Sequence, residues 1–187
     1  DLGSKLMTVD TIRDRVIKHK PPKTDLVVIT GGEPMRQRIG LLVSLLNEIG
    51  LRVQIETNGT LFDDTIDFST GKVFIMCSPK TGSVNPKLEK HITAYKYVGG
   101  CDERGFGFIA GEDHRLMEDG LPRQALGHTA KPRLARPHEG FKGKVYLQPI
   151  DRQNQEINAH HTQAVVESCL ENGYTLCLQM HKIVNVE

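Results

Sequence analysis

A chain of 187 residues and 20.9 kDa has the size of one compact domain, and 38% hydrophobic residues suffice for a core. With 24 Lys+Arg against 23 Asp+Glu the charges nearly cancel, which speaks against direct nucleic-acid binding. No apolar run approaches the roughly 20 residues of a membrane span and no signal-peptide pattern opens the chain, so a cytoplasmic protein without membrane contact is expected.

The opening DLGSKLMTVDTIRD starts on Asp1 and reads as the interior of something longer. Val9, Ile12 and Val16 then recur at helical spacing, with Thr8 as N-cap and Pro21-Pro22 as the stop. Leu26 to Thr30 is a β-branched run, a buried strand. Residues 36–50 read as a helix with Leu41, Leu42, Leu45, Leu46 and Ile49 on its apolar stripe and Gly50 as its end. Strands follow at 51–59, 72–80 and 93–100. Residues 101–143 are irregular, rich in Gly, Pro, His and Arg, with seven Lys+Arg against three Asp+Glu between His114 and Lys144. They are either a long functional loop with a short helix or a poorly ordered insertion; a nucleic-acid patch there lacks aromatic stacking residues. A strand at 144–151 precedes a helix with Val165, Val166, Cys169 and Leu170 inward and Gly173 at its end. The last segment, from Tyr174, reads as a strand plus a short tail. Strands separated by helices predict an α/β domain with a mostly parallel sheet, right-handed crossovers and ligands at the carboxyl ends of the strands.

Those ends share one chemistry. They carry Thr30, Gly31, Gly32, Glu33 and Pro34; then Glu56, Thr57, Asn58 and Gly59; then Ser78, Pro79 and Lys80; then Gln148, Pro149 and Asp151; and finally Gln179, His181 and Lys182. Paired glycines let a ligand approach the backbone, and Glu33 sets a negative charge suited to an ammonium group. The stretch lacks the lysine and the spacing of a phosphate loop. Taken singly, each piece has a plain structural reading: a tight turn with a solvated Glu at Gly31-Gly32-Glu33-Pro34, an Asn-Gly turn at Asn58-Gly59, a strand end at Ser78-Pro79, a structural His181. The four cysteines, Cys77, Cys101, Cys169 and Cys177, are spaced by 24, 68 and 8 residues and form no Cys-x-x-Cys pair, so they read as small buried hydrophobes.

Together, VVITGGEP, QIETNGT, SPK, YLQPID and the closing LQMHKIVNVE resemble the radical S-adenosylmethionine superfamily, and within it the 7-carboxy-7-deazaguanine synthase family. The resemblance covers residues 24–100 and 144–187. It implies an incomplete (β/α) barrel with its site at the carboxyl ends of the strands. It implies a carbon–nitrogen lyase of 7-deazapurine (queuosine) biosynthesis, converting 6-carboxy-5,6,7,8-tetrahydropterin to 7-carboxy-7-deazaguanine. The implied cofactors are S-adenosylmethionine, a 4Fe–4S cluster that cleaves it reductively, and Mg2+. The implied partners are the pterin substrate, an electron donor such as flavodoxin, and a second copy of the chain in a homodimer. By position, Gly31, Gly32 and Glu33 match the motif receiving the cofactor's methionyl ammonium. Ser78 and Lys80 match residues near its carboxylate and ribose, with Glu56, Asn58 and Gln148 on the same side. Thr30 and His181 match pterin contacts, and the terminal carboxylate of Glu187 is a candidate substrate ligand.

The departures are specific. The family's cluster cysteines and its magnesium-contacting Thr are expected ahead of residue 1, so residues 1–187 are expected to be a single domain lacking its cluster-binding segment. Met180 stands where a Thr is common in the closing motif. Two other readings are a cluster-free relative that binds S-adenosylmethionine or pterin in a regulatory role, and another radical enzyme such as an activase.

Overall fold

The computed structural model describes residues 6–101, 115–124 and 133–184. Its centre is a sheet of six strands: β1 (Leu26–Ile29), β2 (Arg52–Thr57), β3 (Val73–Cys77), β4 (Ile92–Gly99), β5 (Lys144–Pro149) and β6 (Thr175–Leu176). They lie side by side in chain order, and each of the five pairings is parallel. The sheet is open, the arc expected of an incomplete barrel.

Two of the crossovers are full helices. α2 (Gly40–Glu48) joins β1 to β2, and α4 (Gln155–Asn172) joins β5 to β6. Among the described residues, the other connections hold a 3-10 turn (Phe68–Thr70) and the single helical turn α3 (Pro86–Glu89). α1 (Val9–His19) lies on α2. Thr8 caps α1 as expected, its hydroxyl accepting from Thr11 N–H at 3.2 Å. Gly173 ends α4 at φ 70°.

Period-two alternation divides the sheet into two faces. Val53, Ile55, Ile75, Cys77, Tyr95, Tyr97 and Leu147 are buried in the core on one of them. The even-numbered positions of β2 and β3, Gln54, Glu56, Phe74 and Met76, face the other way and stay half-exposed. Between β3 and β4 the register shifts at Ile75/Met76, so Met76 pairs with Ala94 and Cys77 with Tyr95. That shift keeps the even parity running from β2 across to β4.

Four expectations change. α2 starts at Gly40, after a 3-10 turn at Pro34–Arg36, because Asp63 takes the Ile39 N–H at 2.7 Å and Thr65 Oγ1 the Gly40 N–H at 3.3 Å. Gly40 lies so close to this segment that an added Cβ would stand 2.2 Å from Thr65 O. The buried stripe of α2 is Leu42, Val43 and Leu46, whereas Leu41 and Ile49 face solvent. On α4, Leu170 is 79% exposed and the buried positions are His161, Val165, Ser168 and Cys169, since His161 packs against the backbone of Gly100. The last segment is mostly not a strand. β6 has two residues, Cys177 N–H adds one bond to Leu147 O at 2.9 Å, and residues 180–183 turn into the short helix α5 (Met180–Ile183). His181 therefore sits on a helix. Lys182, beside it, forms an ion pair with Asp151 past the end of β5, which draws the chain out of the sheet.

Candidate functional site

β1 ends at Ile29, and the chain passes Thr30 into Gly31, which has φ 120°, a conformation that suits glycine. A Cβ added at Gly31 or Gly32 would meet nothing within 4 Å, so this backbone lies open. Glu33 does not stand free beside it. The residue is 9% exposed, and its carboxylate accepts three hydrogen bonds from the chain itself. Oε1 takes Thr57 Oγ1–H at 2.8 Å and Met35 N–H at 3.1 Å; Oε2 takes Asn58 N–H at 2.8 Å. The carboxylate stitches the exit of β1 to the exit of β2.

At the end of β2, the Asn58 side-chain oxygen receives the Thr60 N–H at 2.8 Å and hydroxyl at 2.6 Å, so the plain turn reading of Asn58-Gly59 holds for that oxygen. Gly59 has φ 83°, and an added Cβ would come within 2.7 Å of Cys77 Sγ. Burial, with Glu33 adding to it, pushes the Cys77 thiol up to about 12. Ser78 N–H bonds to Thr57 O at 2.8 Å and prolongs the β2–β3 ladder by one step. Lys80 follows, half-buried, its amine pushed below the usual lysine range by burial and by the nearby Lys96.

The strand registers bring the expected residues together. Met76 of β3 lies opposite Glu56 and Ala94, one step before Asn58, Ser78 and Lys96 on their strands. Lys96 is opposite Tyr146, and Val98 opposite Gln148. Glu56, Asn58, Ser78, Lys80 and Gln148 thus gather at the carboxyl end of one sheet face, with Gly31 and Gly32 at its β1 edge. Thr30 is exposed at that edge. The His181 side chain and Glu187 lie outside the described residues.

Sequence reasoning missed Lys96. Its Nζ is 3.2 Å from both Glu56 oxygens, with side chains 22% and 29% exposed. The available signal was a lone charge within the apolar run Ile92–Val98. Asp151, at the end of β5, accepts from Asn158 Nδ2 and Gln153 N–H at 2.8 Å each and pairs with Lys182. Lys182, with help from those two donors, holds its carboxyl down at about 2.

The basic stretch after residue 114 is partly accounted for by its own fold. Arg133 and Arg136 both bind Asp119, and Arg136 also donates to the Pro122 carbonyl at 3.0 Å and lies 5.8 Å over the Tyr97 ring. Among the described residues no group of three or more His, Cys, Asp or Glu could hold a metal ion, and no helix is long and apolar enough to cross a membrane.

No protein-family model matches the chain. It is 40% identical to the 7-carboxy-7-deazaguanine synthase of Rhodospirillum rubrum, over 99% of this chain and 72% of that protein. It is 32% identical to the synthase of Rickettsia prowazekii, over 98% of this chain and 70% of that one. The crystal structure of QueE from Escherichia coli superposes with a TM-score of 0.57 at 20% identity, which supports the fold. There the match covers 92% of this chain but only 64% of that one. The level and extent of identity to the first two relatives place the chain in the 7-carboxy-7-deazaguanine synthase family.

Proposed function

We propose that the protein carries out the reaction for which its relatives are named, forming 7-carboxy-7-deazaguanine from 6-carboxy-5,6,7,8-tetrahydropterin as a radical S-adenosylmethionine lyase. The observation that carries this reading is the convergence of TGGEP, ETNG, SPK and the Gln148 strand on one end of one sheet face. The residues present suit S-adenosylmethionine. The open backbone at Gly31 and Gly32 can receive the methionyl ammonium on its carbonyls. Ser78 and Lys80 lie where a carboxylate and a ribose can be held, and Glu56, Asn58 and Gln148 line the same side. Thr30 faces the pterin end of the site, with His181 and Glu187 assigned there by resemblance. Glu33 acts through the loop, by fixing Gly31 and Gly32 against β2. When bound, the cofactor supplies hydrogen-atom abstraction; the chain's own groups bind and orient.

The described residues do not suit a 4Fe–4S cluster, which needs several thiolates at one place. Cys77 and Cys169 are buried, and the four cysteines form no group. The homodimer and the flavodoxin-type donor rest on the resemblance alone. The full protein, reconstituted anaerobically with iron, sulfide and a reductant, is expected to convert the carboxy-tetrahydropterin to 7-carboxy-7-deazaguanine, read by mass spectrometry. Release of 5′-deoxyadenosine without that product would retain cofactor cleavage and reject the substrate.

A further inference from the structure

Three strand exits meet at one hydroxyl. Thr57, the last residue of β2, is 3% exposed. Its Oγ1–H donates to Glu33 Oε1 at 2.8 Å, and the same oxygen accepts the Gly59 N–H at 3.1 Å. Gly59 is held from its other side: its carbonyl accepts the Asn85 N–H at 2.8 Å, and an added Cβ would stand 2.7 Å from Cys77 Sγ. Thr57 therefore links the chain after β1 to the chain after β3. Gly31 and Gly32 stand just ahead of this link. Two glycines in a row are the loosest backbone a chain can present, and neither has a side chain with which to hold itself. The anchor next to them is Glu33, whose carboxylate accepts from Thr57, Asn58 and Met35. Of these three bonds, the Thr57 one alone comes from a side chain.

We infer that Thr57 is a positioning residue: its buried hydroxyl, shared between Glu33 and Gly59, sets the Gly31–Gly32 backbone in the conformation that receives an ammonium group. On the reading above, on which this inference rests, that group is the methionyl ammonium of S-adenosylmethionine. The argument is one of pre-organisation. A ligand held by backbone carbonyls gains most from carbonyls already in place, because ordering two glycines at the moment of binding costs conformational entropy. Burial strengthens the device, since water has little access to Thr57 and cannot readily stand in for its hydroxyl.

The experiment compares two ligands that differ by the amine. S-adenosylhomocysteine and its deamino analogue, with hydrogen in place of the α-amino group, are titrated calorimetrically into the full protein, reconstituted as above. The parent should prefer S-adenosylhomocysteine. Thr57→Val has nearly the same shape without the hydroxyl. It should lose about tenfold of that preference, through weaker binding of S-adenosylhomocysteine, while the deamino analogue binds as in the parent. Thr57→Ser keeps the hydroxyl and should stay within about threefold of the parent. Equal weakening of both ligands in Thr57→Val would mark a merely structural threonine and overturn the inference, leaving the cofactor reading in place. So would a Thr57→Val variant with the parent's preference. A parent that bound S-adenosylhomocysteine no better than the deamino analogue, or not at all, would bring down the cofactor reading and the inference with it. A second measurement needs no ligand. Hydrogen exchange of the Met35 and Asn58 amides, the other two donors to Glu33, should quicken by about tenfold in Thr57→Val and hold in Thr57→Ser. Quickening confined to Gly59 would show that the hydroxyl secures its own strand exit but not Glu33, and would overturn the proposal. Should Thr57→Val not fold, Thr57→Ala carries the same expectations and overturns the inference by the same outcomes.

Discussion

The exits of β1 and β5 each carry a carboxylate that ties the chain to itself, and they do so in opposite ways. Glu33 is buried and takes hydrogen bonds from a hydroxyl and two backbone amides, with no cation involved. Asp151 meets an ammonium, but on side chains 25% and 49% exposed. Charge favours the second and burial the first, and burial should win. Unpaired donors in a dry site cost their full desolvation, whereas a wet ion pair can be replaced by water.

The largest test of that contrast is Glu33→Ala. It strands Thr57 Oγ1 and the amides of Met35 and Asn58, and should lower stability by about 3 kcal/mol, measured by urea unfolding. Glu33→Gln keeps one acceptor and should cost less. If Glu33→Ala cost no more than Asp151→Ala, the contrast would be wrong. Next comes Gly59→Ala, which meets Cys77 Sγ at 2.7 Å in a left-handed backbone conformation. It should cost about 2 kcal/mol and disturb the Glu33 stitch through Asn58. Smaller again, Asp151→Asn should cost at most about 1 kcal/mol, since its partner is half-solvated.

The pH dependence of that last variant has a definite sign. Asp151 is held down at about 2 in the folded chain, chiefly by Lys182. In acid the unfolded chain therefore binds the proton first. The stability from Asp151 is complete above its ordinary value of about 3.9 and fades as pH falls towards about 2. The difference between parent and Asp151→Asn should shrink over that window and stay flat above it. The smallest expected effect is at Arg38, whose pair with Asp64 is exposed on both sides. Arg38→Ala should unfold at the same urea concentration as the parent.

Much of this molecule could be read before it was seen. The runs at Leu26–Ile29, Val73–Cys77 and Ile92–Gly99 are strands because β-branched and aromatic residues crowd there, and their polar exits fall on one rim because parallel strands all end the same way. What escaped depends on register and on the direction of side chains. The hydrogen bonds that Glu33 takes from Thr57 and Asn58 depend on which strand lies beside β1. Lys96 acquires meaning when the shift at Ile75/Met76 puts it on the face of Glu56. Leu170 fits an apolar stripe by spacing, yet the face of α4 is set by His161 against Gly100. The C-terminal helix brings Lys182 to Asp151, a contact between residues 31 apart that local spacing does not reveal.

The strict chain order of the six strands carries a consequence for how the molecule is made. Every strand pairs with the one synthesised just before it, so no strand has to wait for a distant partner. A nascent chain can extend the sheet one ribbon at a time as it leaves the ribosome, each new edge shielding the last. The two-residue β6 and the Lys182 contact come last in that order, so they close on a sheet whose five other strands are already laid down.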